Sequence, residues 1–489
     1  MSIVTERTEK FINEKMAELN VPGIAVGVVK DGALVYQKGF GFRDVENKLP
    51  VEPATVYPLA STTKAMTAVC AAILKDEKKL DFRTPIINYI PEFRMFDDYA
   101  TKNLCLRDMF SHNSGLPRHD FAWYGVNGTL AEFVEKIRYL KPNKPFRTLF
   151  EYNNFMFATA GYVIEKVSGK TWHEFIKERL FTPLGMKDSS TTIAGIEATA
   201  NKAFPYKENK DGSLEKMPFR NFDGMGGAGT GNSSVVDMSK WLIMNLSGGK
   251  FEGKQIVAEA TLKELHTPVT VSIPPLPPMP EIPISTYGYG WNAIPFRGKF
   301  AQVHTGGIDG ISTFVGMMPG ENLGVVVLTN SGGQVMNTAI GYVIFDEVMG
   351  LPFFDWATRI KERNDKLNEG INEMNNKVIA IRKPDSKPTH ELKNYAGTYE
   401  HKGYGKVTVT YDSEKGLIAA YNEFSLKLVC NNYNVFEAWV GEDEKYPRLL
   451  LVSFDLDLKG DIKSLSLSIE PGMGEELTVF EKLIDNNAK

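Results

Sequence analysis

The segment Tyr57-Pro58-Leu59-Ala60-Ser61-Thr62-Thr63-Lys64-Ala65-Met66 runs from strand-like residues into a helix whose apolar positions, Met66, Val69, Cys70, Ile73 and Leu74, recur at three-and-four spacing. Ser61 therefore falls in a first helical turn, beside unpaired backbone N–H groups and the positive end of the helix dipole, where a developing oxyanion is favoured. Lys64, three residues on, returns to the same face. Held in an apolar site it loses solvation, its pKa falls, and it can accept the serine proton. The competing reading is an N-cap serine followed by an ordinary surface lysine. Ser-x-x-Lys also occurs at Ser213–Lys216 and Ser247–Lys250, but there it lies in Gly- and Asp-flanked loops where a lysine is free to solvate.

Two further motifs lie downstream. Tyr152-Asn153-Asn154 is a Tyr-x-Asn. If Tyr152 faces Lys64, the ammonium stabilises a phenolate and the pair offers a second base and a proton donor for a leaving group; otherwise the run is a capping Asn beside a core Tyr. His304-Thr305-Gly306-Gly307 follows a strand-like run, and we place it on an edge strand lining a cleft. Its glycines let a substrate backbone approach, and a backbone N–H can complete an oxyanion hole. A satisfied strand histidine followed by a turn is the plainer alternative.

Around these motifs, Gly23–Val29 and Ala33–Gly39 read as strands joined at Asp31-Gly32, a hairpin turn. The stretch from Ser61 to Glu178 is largely helical, with Phe157, Gly161, Ile164 and Glu165 on one stripe, and strands return at Phe300–Val303, Ile311–Met317 and Gly324–Thr329. Strands at both ends with helices between them predict an α+β domain. Its antiparallel sheet pairs the N-terminal hairpin with strands about 270 residues later and is flanked by helices. The proline-rich run Pro274–Pro283 predicts an extended surface loop. Asp355–Ala380 predicts a long amphipathic helix with Trp356, Ile360, Leu367, Ile371, Met374 and Val378 near one face, followed by the polar linker Lys383–Pro388. Beyond it the period becomes two (Val407, Val409, Tyr411; Val452, Phe454, Leu456, Leu458; Leu465, Leu467, Ile469), which predicts a small all-β antiparallel barrel. The expected domains are 1–354, a linker 355–388, and a barrel 389–489.

Composition narrows the function. A net charge of -4 and a pI near 6.1 argue against a nucleic-acid partner, and no run approaches the about 18 apolar residues of a membrane span. Three scattered cysteines, Cys70, Cys105 and Cys430, fit a reducing compartment. Met1–Asn20 reads as a polar amphipathic helix without the apolar stretch of a signal peptide, so a cytoplasmic protein is expected. Gly224–Gly229 fits Gly-x-Gly-x-x-Gly but follows no strand, and the seven histidines show no zinc spacing, so neither a cofactor nor a metal is expected.

Taken together and in this order, the three motifs resemble the serine β-lactamase and penicillin-binding-protein superfamily, in its class C-like branch of esterases, D-amino-acid peptidases and β-lactamase-related hydrolases. Ser111–Pro117, Thr159–Tyr162, Gly226–Gly231 leading into Asp237–Trp241, and Tyr287–Trp291 are similar to segments of the same family, and the resemblance spans residues 5 to 350. It implies Ser61 as nucleophile, Lys64 as its activating partner, Tyr152 as general acid/base, and Asn154 as a side chain positioning the substrate amide. The backbone N–H groups of Ser61 and Gly307 would form the oxyanion hole, with His304, Thr305 and Gly306 on the substrate strand. His304 stands where many β-lactamases carry lysine, so a permanent charge for a substrate carboxylate is missing there. The C-terminal part, opening at Tyr395-Ala396-Gly397-Thr398-Tyr399, resembles the lipocalin-like domain fused to some members, in which it helps form oligomers or narrow the cleft. The resemblance thus implies an acyl-enzyme hydrolase of amides or esters. A small-peptide or D-amino-acid peptidase comes first, an esterase or β-lactamase second, and a non-catalytic binding or assembly protein is the alternative of another kind. A small molecule or short peptide is the expected partner, a second copy of the chain another.

Overall fold

Asp31 and Gly32 take φ values of 52° and 79°, the left-handed pair that turns β1 (Gly23–Lys30) back onto β2 (Ala33–Asp44). In the computed structural model, which describes residues 3–272, 276–383, 385–440, 448–469 and 477–483, this hairpin joins a nine-stranded sheet. The remaining strands are β3 (Leu49–Pro50), β4 (Thr270–Ser272), β5 (Ser285–Gly288), β6 (Trp291–Phe296), β7 (Lys299–Ile308), β8 (Ile311–Met318) and β9 (Leu323–Thr329), in the order β4-β5-β6-β7-β8-β9-β1-β2-β3. Its strands pair antiparallel throughout, and β1 meets β9 with Ile24 opposite Thr329, so the chain ends of the domain close the sheet as expected.

The central strands are buried on both faces. Ile24, Val26 and Val28 of β1 pack with α1 (Glu6–Glu18), while Ala25 and Val29 join the core on the other side, so β1 keeps its alternation and the register irregularity beside Val28/Val29 is taken up by β2. That second core is built on α2 (Thr63–Asp76), α3 (Asn154–Ser168) and α4 (Val235–Leu246). The first is completed by α5 (Val335–Val348) and α6 (Trp356–Ala380). Helices thus cover both faces of an antiparallel sheet.

Eight strands, from Gly397–His401 to Thr478–Lys482, form a closed barrel filled by Tyr395, Tyr399, Phe436, Phe454 and Phe480. Closure leaves no open sheet edge.

Several expectations need correction. His304 is on β7, fourth of nine strands, not on an edge. The apolar face of α6 is buried only at Trp356 and Ile360; Met374 is 68% exposed, because the helix crosses from one domain to the other and its middle meets neither core. Its far end docks on the barrel, where Asn375 Oδ1 accepts from Leu449 N and Arg382 pairs with Glu437. The linker is anchored too, through Lys383 N to Asn431 O and Tyr433 N to Ser386 Oγ. Leu458 lies beyond the strand Arg448–Leu456 and is fully exposed. Pro274 and Pro275 of the proline-rich run lie outside the described residues. Among the described residues no helix is long and apolar enough to cross a membrane.

Candidate active site

The two-residue strand Tyr57–Pro58 pairs with Asn232–Ser233 and delivers the chain into a 3-10 turn, Ala60–Thr62, before α2 begins. Ala60 has φ 48°, a left-handed conformation that costs a non-glycine residue about 1–3 kcal/mol and persists where the surroundings enforce it. They do so here: Thr313 Oγ1 donates to Leu59 O, and the neighbouring Gly306 has room for no side chain. A Cβ there would lie 2.3 Å from Leu59 O and 3.1 Å from Ser61 N. Strand β7 thus presses against the serine turn.

Neither the serine nor the lysine follows the plain reading. Ser61 makes no side-chain capping bond to the helix, and Lys64 is 0% exposed. Lys64 Nζ lies 3.0 Å from Ser61 Oγ, 2.8 Å from Asn154 Oδ1 and 2.6 Å from Ala228 O. Burial drives the Lys64 pKa well below the usual lysine range, and the nearby Arg118 guanidinium pushes the same way against the opposing pull of Asp120. Lys216, by contrast, is held by Asp44 at 2.9 Å and Glu46 at 2.8 Å. Despite some burial it is stabilised as a cation.

Tyr152 Oη donates to Ser61 Oγ at 2.9 Å. Burial pushes its pKa up to about 12, against the Arg118 charge and the Ser61 hydrogen bond that draw it down. Both readings of Tyr152-Asn153-Asn154 hold in part, because Asn153 caps α3 through Met156 N while Asn154 turns to Lys64. The Asn154 amide is engaged at both ends, its Nδ2 donating to Asp120 Oδ1 at 2.9 Å.

His304 is 5% exposed and faces inward, its Nε2 2.9 Å from Tyr287 Oη and its Nδ1 2.7 Å from Thr305 O. Burial lowers its pKa to about 3, so it is neutral around pH 7. Of the run His304–Gly307, Gly307 lines the cavity in front of Ser61, a space of about 210 Å³.

The same cavity is walled by residues that the sequence reading passed over: Arg118, Asp120, Trp123 and Tyr124 on the loop after Pro117, and Asp309 in the turn after β7. Arg118 Nε donates to Asp120 Oδ2 at 2.6 Å, and Asp309 accepts from Tyr124 Oη at 2.7 Å and Arg220 Nε at 2.6 Å. The one available signal was four residues long, a proline followed by Arg-His-Asp with no periodicity to interpret. Ala228, whose carbonyl holds Lys64, lies in the glycine run; a Cβ on Gly227 would fall 2.7 Å from Phe157 O and 2.9 Å from Thr67. That run is packed for contact with α2 and α3.

The loop is backed by the barrel. His119 Nδ1 lies 2.6 Å from Tyr404 Oη, Tyr421 Oη donates to Phe121 O, and Asn422 Nδ2 donates to the carbonyls of Phe121 and Tyr124. Phe424 stacks on Tyr124, and Glu423 pairs with Arg220. Among the described residues no cluster of His, Cys, Asp and Glu could hold a metal ion.

A strained serine turn, a buried lysine and a tyrosine converging on one hydroxyl, on a helix-covered antiparallel sheet, are the architecture of a serine hydrolase with the β-lactamase fold. The chain belongs to the Beta-lactamase family, which it matches over residues 8–347, and residues 381–482 match a domain of unknown function, DUF3471. It is 27% identical to Unguisins hydrolase ungD' of Aspergillus campestris, over 98% of this chain and 92% of that protein. Among solved structures it is similar to the octameric penicillin-binding protein homologue from Pyrococcus abyssi (TM-score 0.61, 25% identity, 97% of this chain and 99% of that one). The D-amino acid amidase of Ochrobactrum anthropi SV3 shares the fold over 70% of this chain and 97% of its own (TM-score 0.58, 20% identity).

Proposed function

We propose that the protein hydrolyses an amide bond of a small peptide through an acyl-enzyme on Ser61. The observation that carries this reading is the environment of Lys64 Nζ. Ala228 O can only accept, and Asn154 Oδ1 is fixed as an acceptor because its Nδ2 is given to Asp120. A neutral amine spends its two N–H bonds on these oxygens and turns its lone pair to Ser61 Oγ. Burial favours that neutral form.

In the proposed sequence the Ser61 proton passes to Lys64 as the Oγ–C bond forms and the carbonyl pair moves onto oxygen. The backbone N–H groups of Ser61 and Gly307 receive that oxyanion. As the intermediate collapses, Tyr152 gives its proton to the leaving nitrogen, and the C–N bond breaks. The Lys64 ammonium then returns a proton to the Tyr152 phenolate, so the net transfer is from serine to leaving group. Water enters by the reverse of the same steps and releases the acid.

A cavity of about 210 Å³ suits a small residue on the acyl side. Its charges are paired, Arg118 with Asp120 and Asp309 with Arg220, and His304 is neutral, which favours an uncharged peptide segment over a free terminal carboxylate. The Unguisins hydrolase likeness extends through the barrel and supports hydrolysis by the whole chain. The test is intact mass and turnover with a fluorophosphonate, a penicillin, a p-nitrophenyl ester and D-alanyl p-nitroanilide, comparing wild type with Ser61→Ala. Serine-dependent adducts with turnover of the anilide are expected. Turnover of the ester alone makes it an esterase, and silence from all four in folded protein refutes the hydrolase reading in favour of a binding or assembly role.

A further inference from the structure

The contacts around Ser61 close into a ring. Lys64 Nζ reaches Asn154 Oδ1 at 2.8 Å, Asn154 Nδ2 reaches Asp120 Oδ1 at 2.9 Å, and Asp120 Oδ2 accepts from Arg118 Nε at 2.6 Å. The Arg118 guanidinium carbon then lies 4.9 Å above the Tyr152 ring centroid, and Tyr152 returns to Ser61 Oγ at 2.9 Å. Asp120 is itself held by Trp123 Nε1 at 2.8 Å, so the carboxylate that steers Arg118 is fixed from two further sides. Lys64 Nζ lies 5.0 Å from the same tyrosine ring.

We propose that Arg118 is a charge-setting residue of this site: its guanidinium, clamped by Asp120 over Tyr152, keeps Lys64 an unprotonated acceptor for the serine proton and Tyr152 a ready donor to the leaving group. This rests on the acyl-transfer reading above. A fixed cation opposes a second positive charge on Lys64 and stabilises negative charge on the phenol, so one group serves both halves of the proton transfer. The other groups around Tyr152 do not supply that charge. The His112 ring, 4.2 Å away, and the His304 ring, 6.4 Å away, are both driven neutral by burial, and Tyr287, which touches both, is held in its protonated form by burial. Asp120 pulls in the opposite direction on Lys64 and Tyr152. Arg118 and Asp120 therefore form an opposed pair whose balance sets the site, and the cation stands on a loop instead of on the substrate strand.

The experiment is the pH dependence of the second-order rate of Ser61 labelling by a fluorophosphonate, in wild type, Arg118→Gln, Arg118→Lys and Asp120→Asn. The acid limb of the profile should move up by about one pH unit in R118Q, which is about tenfold slower labelling below the limb. It should return toward the wild-type position in R118K and move down in D120N. Opposite displacements by two neighbours are not produced by a loosened loop, which lowers the rate at every pH alike. An acid limb unmoved in R118Q, or moved the same way in R118Q and D120N, overturns the proposal while leaving the nucleophile intact. If R118Q does not fold, Arg118→Met, which keeps the side-chain stem and removes the charge, decides it by the same upward displacement. A wild type that never labels overturns the acyl-transfer reading as well.

Discussion

The two domains bury different things. The hydrolase domain encloses ionisable groups in its interior: Lys64, Asp108, His112, Asp237 and His304 are each 5% exposed or less. The barrel is filled mainly by aromatic and aliphatic side chains, and its buried carboxylate, Glu437, is answered by Arg382 at the end of α6. Burying a charge or a proton-transfer group costs free energy that an apolar core does not incur. In the first domain Lys64, His112 and His304 bear that cost around Ser61, while Asp108 and Asp237 are answered by Arg147 and Lys240; the barrel meets the site loop from outside, through Tyr404 and the hairpin Tyr421–Phe424.

Substitutions at Ser61 and Lys64 test the contrast hardest. Ser61→Ala and Lys64→Met should each lower turnover by about 10³-fold or more while circular dichroism and the barrel are unchanged, as removal of a nucleophile or its base does elsewhere. Retained turnover in S61A would move the chemistry elsewhere in the molecule. Next in size, Phe454→Ala removes a ring packed against Tyr395, Tyr399 and Phe436 and should cost about 3–5 kcal/mol. Hydrogen exchange should show that loss within 397–483 before it appears in the nine-stranded sheet.

Acid should separate the domains in the opposite sense. His304 is lowered to about 3, and His119 and His266 to about 4, in each case first by burial. Each binds its proton more readily when unfolded, near pH 6.5, than when folded. Their contribution is complete above pH 6.5 and is lost as pH falls toward their folded values, at a slope approaching about 1.4 kcal/mol per pH unit for each histidine. Exchange rates corrected for intrinsic chemistry should therefore rise between pH 6.5 and 4.5 in the hydrolase domain more than in the barrel. The smallest effect is expected across the boundary. Glu423→Ala removes the partner of Arg220, which steadies Asp309 and Tyr124, and should raise KM about three- to tenfold with kcat within about twofold, the cost of one partly exposed charged contact. An unchanged KM would confine the barrel to stability.

What the sequence made legible follows the same division. The Asp31-Gly32 turn, the strands ending at Met317 and Thr329, the Ser61–Lys64 helix and the two-residue alternation of the barrel are local patterns, each fixed by neighbours along the chain. His304 was misplaced because an edge and an interior strand have the same period. The face of α6 was overread because a helix bridging two domains keeps its stripe where nothing covers it, as at Met374. Arg118 and Asp120 escaped because a charged pair in an aperiodic loop acquires meaning from Tyr152 and Asn154, distant in sequence. The hold of Tyr404 and Asn422 on that loop joins residues about 300 positions apart, beyond any spacing rule.

The Tyr421–Phe424 hairpin has a consequence for how such chains diversify. Because it forms the back of the wall that Trp123 and Tyr124 present to Ser61, a substitution in the barrel can reach the cleft without touching any residue that lines it, and a raised KM in E423A would mean that exchanging the barrel between related chains transplants part of the cleft's shape.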